Sequence, residues 1–290
     1  MIDAQLLISG VIFGLSMGSI FFLMTIGLSL CFGLMRIISL DQLLYYSVGA
    51  YITYSVSLAI GDIWLGVLAG VIVGGLTALA VERVVFRRIY ERDLAFTMIT
   101  SFGVLIGGVG VIKYFWGLVP RPVPVPIDVQ VFIIGTEISV YRLVVVGIAA
   151  LVYVGIWLFL NRTIIGKAIR AGIEDVEHVE GLGINVYRLF TITFVIAGGL
   201  SGLAGGLHAP LIMVDPNMGL EVLAFAFMVV IIGGLGSIKG TLISAILVGQ
   251  VISLGSIIYA PLAQMAPFAI MLLVLLIKPT GLFGSPLLKR

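Results

Sequence analysis

An all-α fold, a polytopic bundle crossing a membrane about eight or nine times, is predicted by three properties of the sequence. Of its 290 residues, 61% are hydrophobic and only 10% charged, against roughly 45–50% apolar in a soluble domain. The apolar residues fall in runs close to the ~20 residues that a helix needs to cross a bilayer core about 30 Å thick. These runs lack strict alternation, so helices rather than a closed barrel satisfy the backbone in lipid. Little length remains for a soluble domain, and residues 1–290 read as one transmembrane domain.

The opening MIDAQLLISGVIFG lacks the basic region of a cleavable signal peptide and leads into a first span at about residues 8 to 34. Gly10, Gly14 and Gly18 recur there every fourth position. Small residues at that spacing let helix backbones approach closely where van der Waals packing replaces the hydrophobic effect. The run 43 to 60 is crowded at its start by Arg36, Asp41 and Gln42, which suits a spanning helix or a re-entrant one. The run 63 to 81 carries a second glycine series, Gly66, Gly70 and Gly74, and the run 95 to 117 contains GGVG at 107 to 110, also read as packing.

PRPVPVPIDVQ, residues 120 to 130, is expected to be extended, because each proline fixes φ and disfavours helix in the residue before it. It is a docking rim or a stiff loop. The runs 142 to 160 and 189 to 208 flank a polar interruption, the second carrying Gly198, Gly202 and Gly206. The run 221 to 236 is broken up by Gly233, Gly234, Gly236 and Gly240, so it too suits a re-entrant or broken helix. Runs at 241 to 259 and 265 to 277 complete the bundle.

Basic residues set the orientation, since loops rich in lysine and arginine stay cytoplasmic. Arg83, Arg87, Arg88 and Arg92, then Arg162, Lys167, Arg170 and Arg188, then Lys278, Lys289 and Arg290 fall on one side; residues 118 to 141 carry only Arg121 as a loop cation. A multi-pass protein of the cell (inner) membrane follows, N-terminus outside and C-terminus cytoplasmic.

Several functions are set aside by composition. A net charge of +2 without a basic patch argues against nucleic acid. One cysteine, Cys31, permits no intrachain disulfide, and His178 and His208, without HExxH or CxxC spacing, make no zinc site. GGLGSIKGT, residues 233 to 241, has the order Lys239-Gly240-Thr241 and no preceding strand, so it is not a phosphate loop. GGLSGLAGG at 198 to 206 lacks the context of a dinucleotide fingerprint. Asp41, Lys113 and Glu221 fall near span ends, where a charge reaches water easily. No series of buried carboxylates suggests a proton relay, and neither catalytic nor metal-binding residues are expected.

The polar interruption, residues 161 to 188, is more ordered than a random loop. Glu174, Asp175, Glu177 and Glu180 form the densest carboxylate cluster, on a loop rather than in a pocket. Ile173, Val176 and Val179 recur every third residue, giving a narrow apolar stripe on a helix of roughly two turns. Gly181 and Gly183 stop it, and Asn185 caps a span starting near Val186. So short a helix is marginal alone, and a stripe rimmed by charge suits a groove in a partner. For a pathway only mild polarity remains: Ser16 and Ser19, Tyr46, Thr53 and Ser57, and Thr97 and Ser101 recur at helical spacing, with Gln42 beside the second set. Serine and threonine serve equally as packing residues.

Taken together, GLSMGSIFFLMTIGLSLCFGLMRII at 14 to 38, YSVGAY at 46 to 51, ERVVFRRI at 82 to 89, GKAIRAGIEDVEHVEGLGIN at 166 to 185, GGLGSIKG at 233 to 240 and KPTGLFG at 278 to 284 resemble the LivH-type permease subunits of branched-chain amino acid ABC importers over nearly the whole chain. The resemblance implies an ABC importer permease that works by alternating access, and that the interruption is the cytoplasmic coupling segment docking on an ATP-binding subunit. The matching positions are Asp175, Glu177, Gly183, Ile184 and Asn185, with Glu174 in the same acidic block. It implies as partners a second, LivM-like permease subunit, two ATP-binding cassette subunits and an extracytoplasmic solute-binding protein, besides membrane lipid; ATP and magnesium belong to those subunits and no cofactor to this chain. The chain departs from the family in having Ser39-Leu40-Asp41-Gln42-Leu43 where a motif like Asn-Phe-Ala-His-Gly is usual, Lys239 where proline is common and Gly181 where an aliphatic residue is usual. Urea or short amides, which related permeases carry, and a sodium-coupled secondary carrier are the competing expectations.

Overall fold

A computed structural model describes residues 4–90, 92–127, 129–133 and 136–284. Lys289 and Arg290, part of the orientation argument, lie outside them. The long helices are α1 (Ala4–Met35), α2 (Gln42–Ile60), α3 (Ile63–Val84), α4 (Leu94–Trp116), α5 (Val140–Arg162), α8 (Val186–His208), α11 (Ile238–Ile258) and α12 (Ala260–Ile277). All eight are long and apolar enough to cross a membrane. Short helices α6 (Ile164–Glu174) and α7 (Val176–Gly181) form the polar segment, and α9 (Met218–Glu221) and α10 (Leu223–Gly233) precede α11. The expected run 221 to 236 is thus broken, and at 1.5 Å per residue α10 is too short to span. A hairpin of β1 (Gln130–Ile133) and β2 (Thr136–Ser139) is an addition that the all-helical expectation missed. The described residues of the proline-rich stretch before it, 120–127 and 129, are non-helical, as expected, and Arg121 pairs with Val214 across the chain.

Glycine seams hold the bundle. A Cβ on Gly14 would lie 2.9 Å from the Gln250 Cα, and one on Gly18 would lie 2.8 Å from the Ile246 Cα, so α1 and α11 run antiparallel in close contact. The α2, α3 and α8 backbones meet at Gly49, Gly70, Gly74, Gly198 and Gly202. All three glycine series at four-residue spacing, on α1, α3 and α8, pack as expected. GGVG on α4 does not: Gly108 meets Leu44, but Gly107 and Gly110 face open space because α4 sits at the rim of the bundle. Outward faces stay apolar, with Leu151 on α5 73% and Leu276 on α12 72% exposed, as lipid or an apolar partner requires.

Between α1 and α2 the chain folds back into the bundle. Arg36 adopts φ 53° and its N–H bonds the Phe32 carbonyl, ending α1; residues 37, 39, 40 and 41 are then buried without being helical. Irregular backbone at this depth is tolerated only when covered by protein. So α2 is a full-length helix entered through a buried, non-helical segment.

Candidate functional site

The polar segment is built by three side-chain caps. Thr163 accepts a hydrogen bond from the Gly166 N–H at 2.9 Å and starts α6. Gly166 lets α6 fold tightly onto the end of α5, since any Cβ there would strike the Phe159 carbonyl and lie 2.6 Å from the Leu160 Cα. The Asp175 carboxylate accepts from the N–H groups of Glu177 at 2.9 Å and His178 at 3.2 Å, starting α7. Gly183, at φ 78°, ends the segment, and Asn185 accepts from the Arg188 N–H at 3.1 Å to start α8, as the sequence suggested.

Asp175 corrects one expectation. A single two-turn helix was to present Ile173, Val176 and Val179 to a partner; instead Asp175 splits the helix, because a short carboxylate is more favourable as an N-cap than inside a helix. Ile169 and Val179 are each 2% exposed and face the protein's own bundle. The outward face carries Lys167, Arg170, Glu174, Glu177 and Glu180, with Ile164 and Leu182 exposed at its ends. Of the predicted coupling residues, Glu174, Glu177, Gly183 and Asn185 are exposed, and Asp175 and Ile184 half-buried.

Asp175 also pairs with His178 at 2.6 Å. Hydrogen bonding from His178 and from backbone N–H groups holds its carboxyl below the ordinary aspartate range. A depressed folded value means that the cap's contribution is present above the unfolded pKa, about 3.9, and lost only as pH falls through the lower folded value.

Four stretches far apart in sequence meet beneath this segment. A Cβ on Gly172 would reach the Leu34 side chain at 2.6 Å, and one on Gly33 would sit 3.5 Å from the Ile173 side chain and 3.1 Å from the Gly236 Cα. The 234–237 turn in turn carries the 278–284 turn: the Leu282 and Phe283 N–H groups bond the Ile232 and Gly233 carbonyls at 2.8 and 3.0 Å. GGLGSIKG follows helix α10 rather than a strand, and Ser237 caps α11 through the Gly240 N–H, so its glycines make turns for a joint and not a phosphate cradle.

A second polar group lies at the head of α2. Gln42 Nε2 donates to Ser39 Oγ at 3.3 Å and lies 3.7 Å from Cys31 Sγ, while its Oε1 accepts from Ser201 of α8 at 3.1 Å. Asp41 is fully buried and takes hydrogen bonds from Ser39, at 2.5 Å, and Tyr45. It does not reach water as expected of a residue near a span end, because the chain has turned back into the bundle and a buried carboxylate must find donors there. Further along the seam Tyr46 and His208 share a hydrogen bond of 2.5 Å.

The predicted pathway residues divide accordingly. Gln42, Tyr46 and Thr53 share the α2 face along α8, where Thr53 bonds the Gly49 and Gly66 carbonyls at 2.8 and 3.1 Å. Ser57 bonds its own helix at Tyr54; Ser19 does so at Leu15 and Thr97 at Leu94. Ser101 ties α4 to the Ile38 carbonyl at 2.8 Å, and the buried Ser16 hydroxyl has no partner among the described residues. The eight are therefore not gathered on one wall. Not singled out as site residues were Ser39, Tyr45, Ser201 and His208, whose main early signal was polarity inside or beside apolar runs.

Gln42→Ala should lower stability by roughly 1–3 kcal/mol, because it strands buried polar partners. A drop in the thermal unfolding midpoint in detergent is expected; an unchanged midpoint would show that the cluster is not structural.

Residues 10–275 match the family model described as branched-chain amino acid transport system / permease component. The high-affinity branched-chain amino acid transport system permease protein LivH of Salmonella typhimurium is 27% identical, the alignment covering 94% of each chain. The corresponding protein BraD of Pseudomonas aeruginosa is also 27% identical over 94% of each. A nucleoside ABC transporter permease protein, NupC of Lactococcus lactis, is 25% identical over 73% of this chain and 72% of its own.

Proposed function

Because the chain belongs to the branched-chain amino acid transport system permease family, we propose that it is the membrane subunit of an ATP-driven importer for branched-chain or other small hydrophobic amino acids. The observation that carries this reading is the polar segment, whose apolar side is spent on its own bundle and whose charged side faces outward on two capped helices. A protein engaging that surface acts on the joint where α1, α6, the 234–237 turn and the 278–284 turn meet. The segment faces the cytoplasm, the N-terminus lies outside, and the residues that engage an ATP-binding subunit are Glu174, Asp175, Glu177, Gly183, Ile184 and Asn185. A second permease subunit, two ATP-binding subunits that carry the ATP and magnesium, and an exported solute-binding protein complete the assembly.

Transport then proceeds by alternating access in a cell (inner) membrane. Closure of the ATP-binding subunits displaces α6 and α7, and the attached α5 and α8 shift as rigid bodies along glycine seams between two packed arrangements. The α2–α8 seam, with Gln42, Tyr46 and Thr53, is the first candidate for the solute's route. The experiment is purification of the intact complex through a tag on this chain, followed by leucine uptake in proteoliposomes. Co-purifying ATP-binding subunits and uptake that requires ATP are expected; uptake by this chain alone, driven by sodium, would overturn the reading.

A further inference from the structure

The turn after α3 joins that helix to the first turns of α8 through two aromatic side chains. Phe86 is fully buried and packs on Phe194 with ring centroids 5.0 Å apart. Tyr90 packs edge-on against Phe190 at 4.9 Å and lies 6.1 Å from Tyr187, both in the first turns of α8 directly after the polar segment. The other end of Tyr90 is fixed as well: its hydroxyl donates to Glu82 Oε1 at 2.8 Å. Glu82, in the last turn of α3, is fully buried, and its second oxygen has no partner among the described residues. Among the described residues that one hydroxyl is therefore the hydrogen-bond donor to the Glu82 side chain. Among the described residues no cation lies within ion-pair distance of Glu82.

Tyr90 also borders a cleft of about 380 Å³ behind the polar segment, with Arg36, Glu174, Asp175, Glu177 and Phe190 on its other walls. A displacement of α6 and α7 thus has room, and the Tyr90 ring borders that space together with Phe190 at the head of α8. A buried carboxylate held by a single donor is a stiff link, because leaving it unbonded is costlier than the bond itself is favourable.

We propose that Tyr90 is a positioning residue for the coupling step, a strut that carries movement of the polar segment from the start of α8 into the end of α3. This rests on the ATP-driven reading above. Its consequence is that α3, which is not attached to the segment, moves with α8 as one body and changes the contact that both make with α2.

The test uses the intact complex in proteoliposomes and measures ATP hydrolysed per leucine imported. Tyr90→Phe keeps the ring and removes the hydroxyl, and should raise that ratio about fivefold, the size one lost hydrogen bond carries, with the complex still assembled. Glu82→Gln retains a carbonyl acceptor and should stay near the wild-type ratio, whereas Glu82→Leu should match Tyr90→Phe. The double variant Tyr90→Phe, Glu82→Leu should be no worse than either single one, as two ends of one link require. A wild-type ratio in Tyr90→Phe, or independent and multiplying effects, would overturn the strut. Were the wild-type complex to import leucine without ATP, the ATP-driven reading would fail instead.

Discussion

Gly205→Ala yields little folded protein. Any Cβ at this position of α8 would strike the Tyr46 carbonyl of α2 and lie 2.9 Å from the Ala50 backbone nitrogen. Backbone cannot rotate aside as a side chain can, so the two helices must separate. The α3 backbone closes on the same seam at Gly70 and Gly74, which leaves nowhere for the displacement to go. Overpacking of this kind costs about 1–3 kcal/mol or more, and here it falls on the contact that organises α2, α3 and α8 together. The yield of monodisperse protein after detergent extraction should collapse. Gly107→Ala provides the internal control: its Cβ meets open space, and the protein should extract and unfold like the wild type. Equal behaviour of the two variants would refute the seam as the source of stability.

Glu177→Lys abolishes ATP-dependent uptake while leaving insertion and folding intact. Glu177 is exposed on α7, and among the described residues its side chain forms no hydrogen bond or ion pair. Any loss must arise from what approaches this surface. A reversed charge against a complementary partner costs several kcal/mol, and each 1.4 kcal/mol is about tenfold in affinity. Asp175 needs separate treatment, because its carboxylate caps α7. Asp175→Asn keeps a cap and should support transport, whereas Asp175→Lys should lose both cap and charge. The readouts are uptake in proteoliposomes and retention of ATP-binding subunits on a tagged complex. Normal uptake by Glu177→Lys would count heavily against the proposed coupling surface.

Elements governed by local chemistry were legible in the sequence. Apolar runs gave eight spans to within a few residues, the glycine series on α1, α3 and α8 marked real contacts, and Asn185 and Gly183 bounded α8 and the polar segment as expected. Elements governed by tertiary placement were not. Periodicity gave Ile173, Val176 and Val179 one face, but could not say that the face would be met by α1 and the bundle, or that Asp175 would prefer capping to continuing the helix. Asp41 seemed close to water by its position in the chain and is buried, because the path of residues 37 to 41 depends on α4 and α8. Glu82 and Tyr90 carry no periodic signal linking them, being eight residues apart across a turn.

The most direct test of the coupling surface uses a cysteine. Cys31 is buried, so Glu177→Cys supplies the exposed thiol among the described residues. Native membranes carrying this variant would be treated with a thiol-to-amine cross-linker and the adduct identified by mass. A conjugate between this chain and an ATP-binding subunit on the cytoplasmic side is expected. A conjugate with an exported solute-binding protein, or a thiol that reacts freely but joins to no ATP-binding subunit, would contradict it.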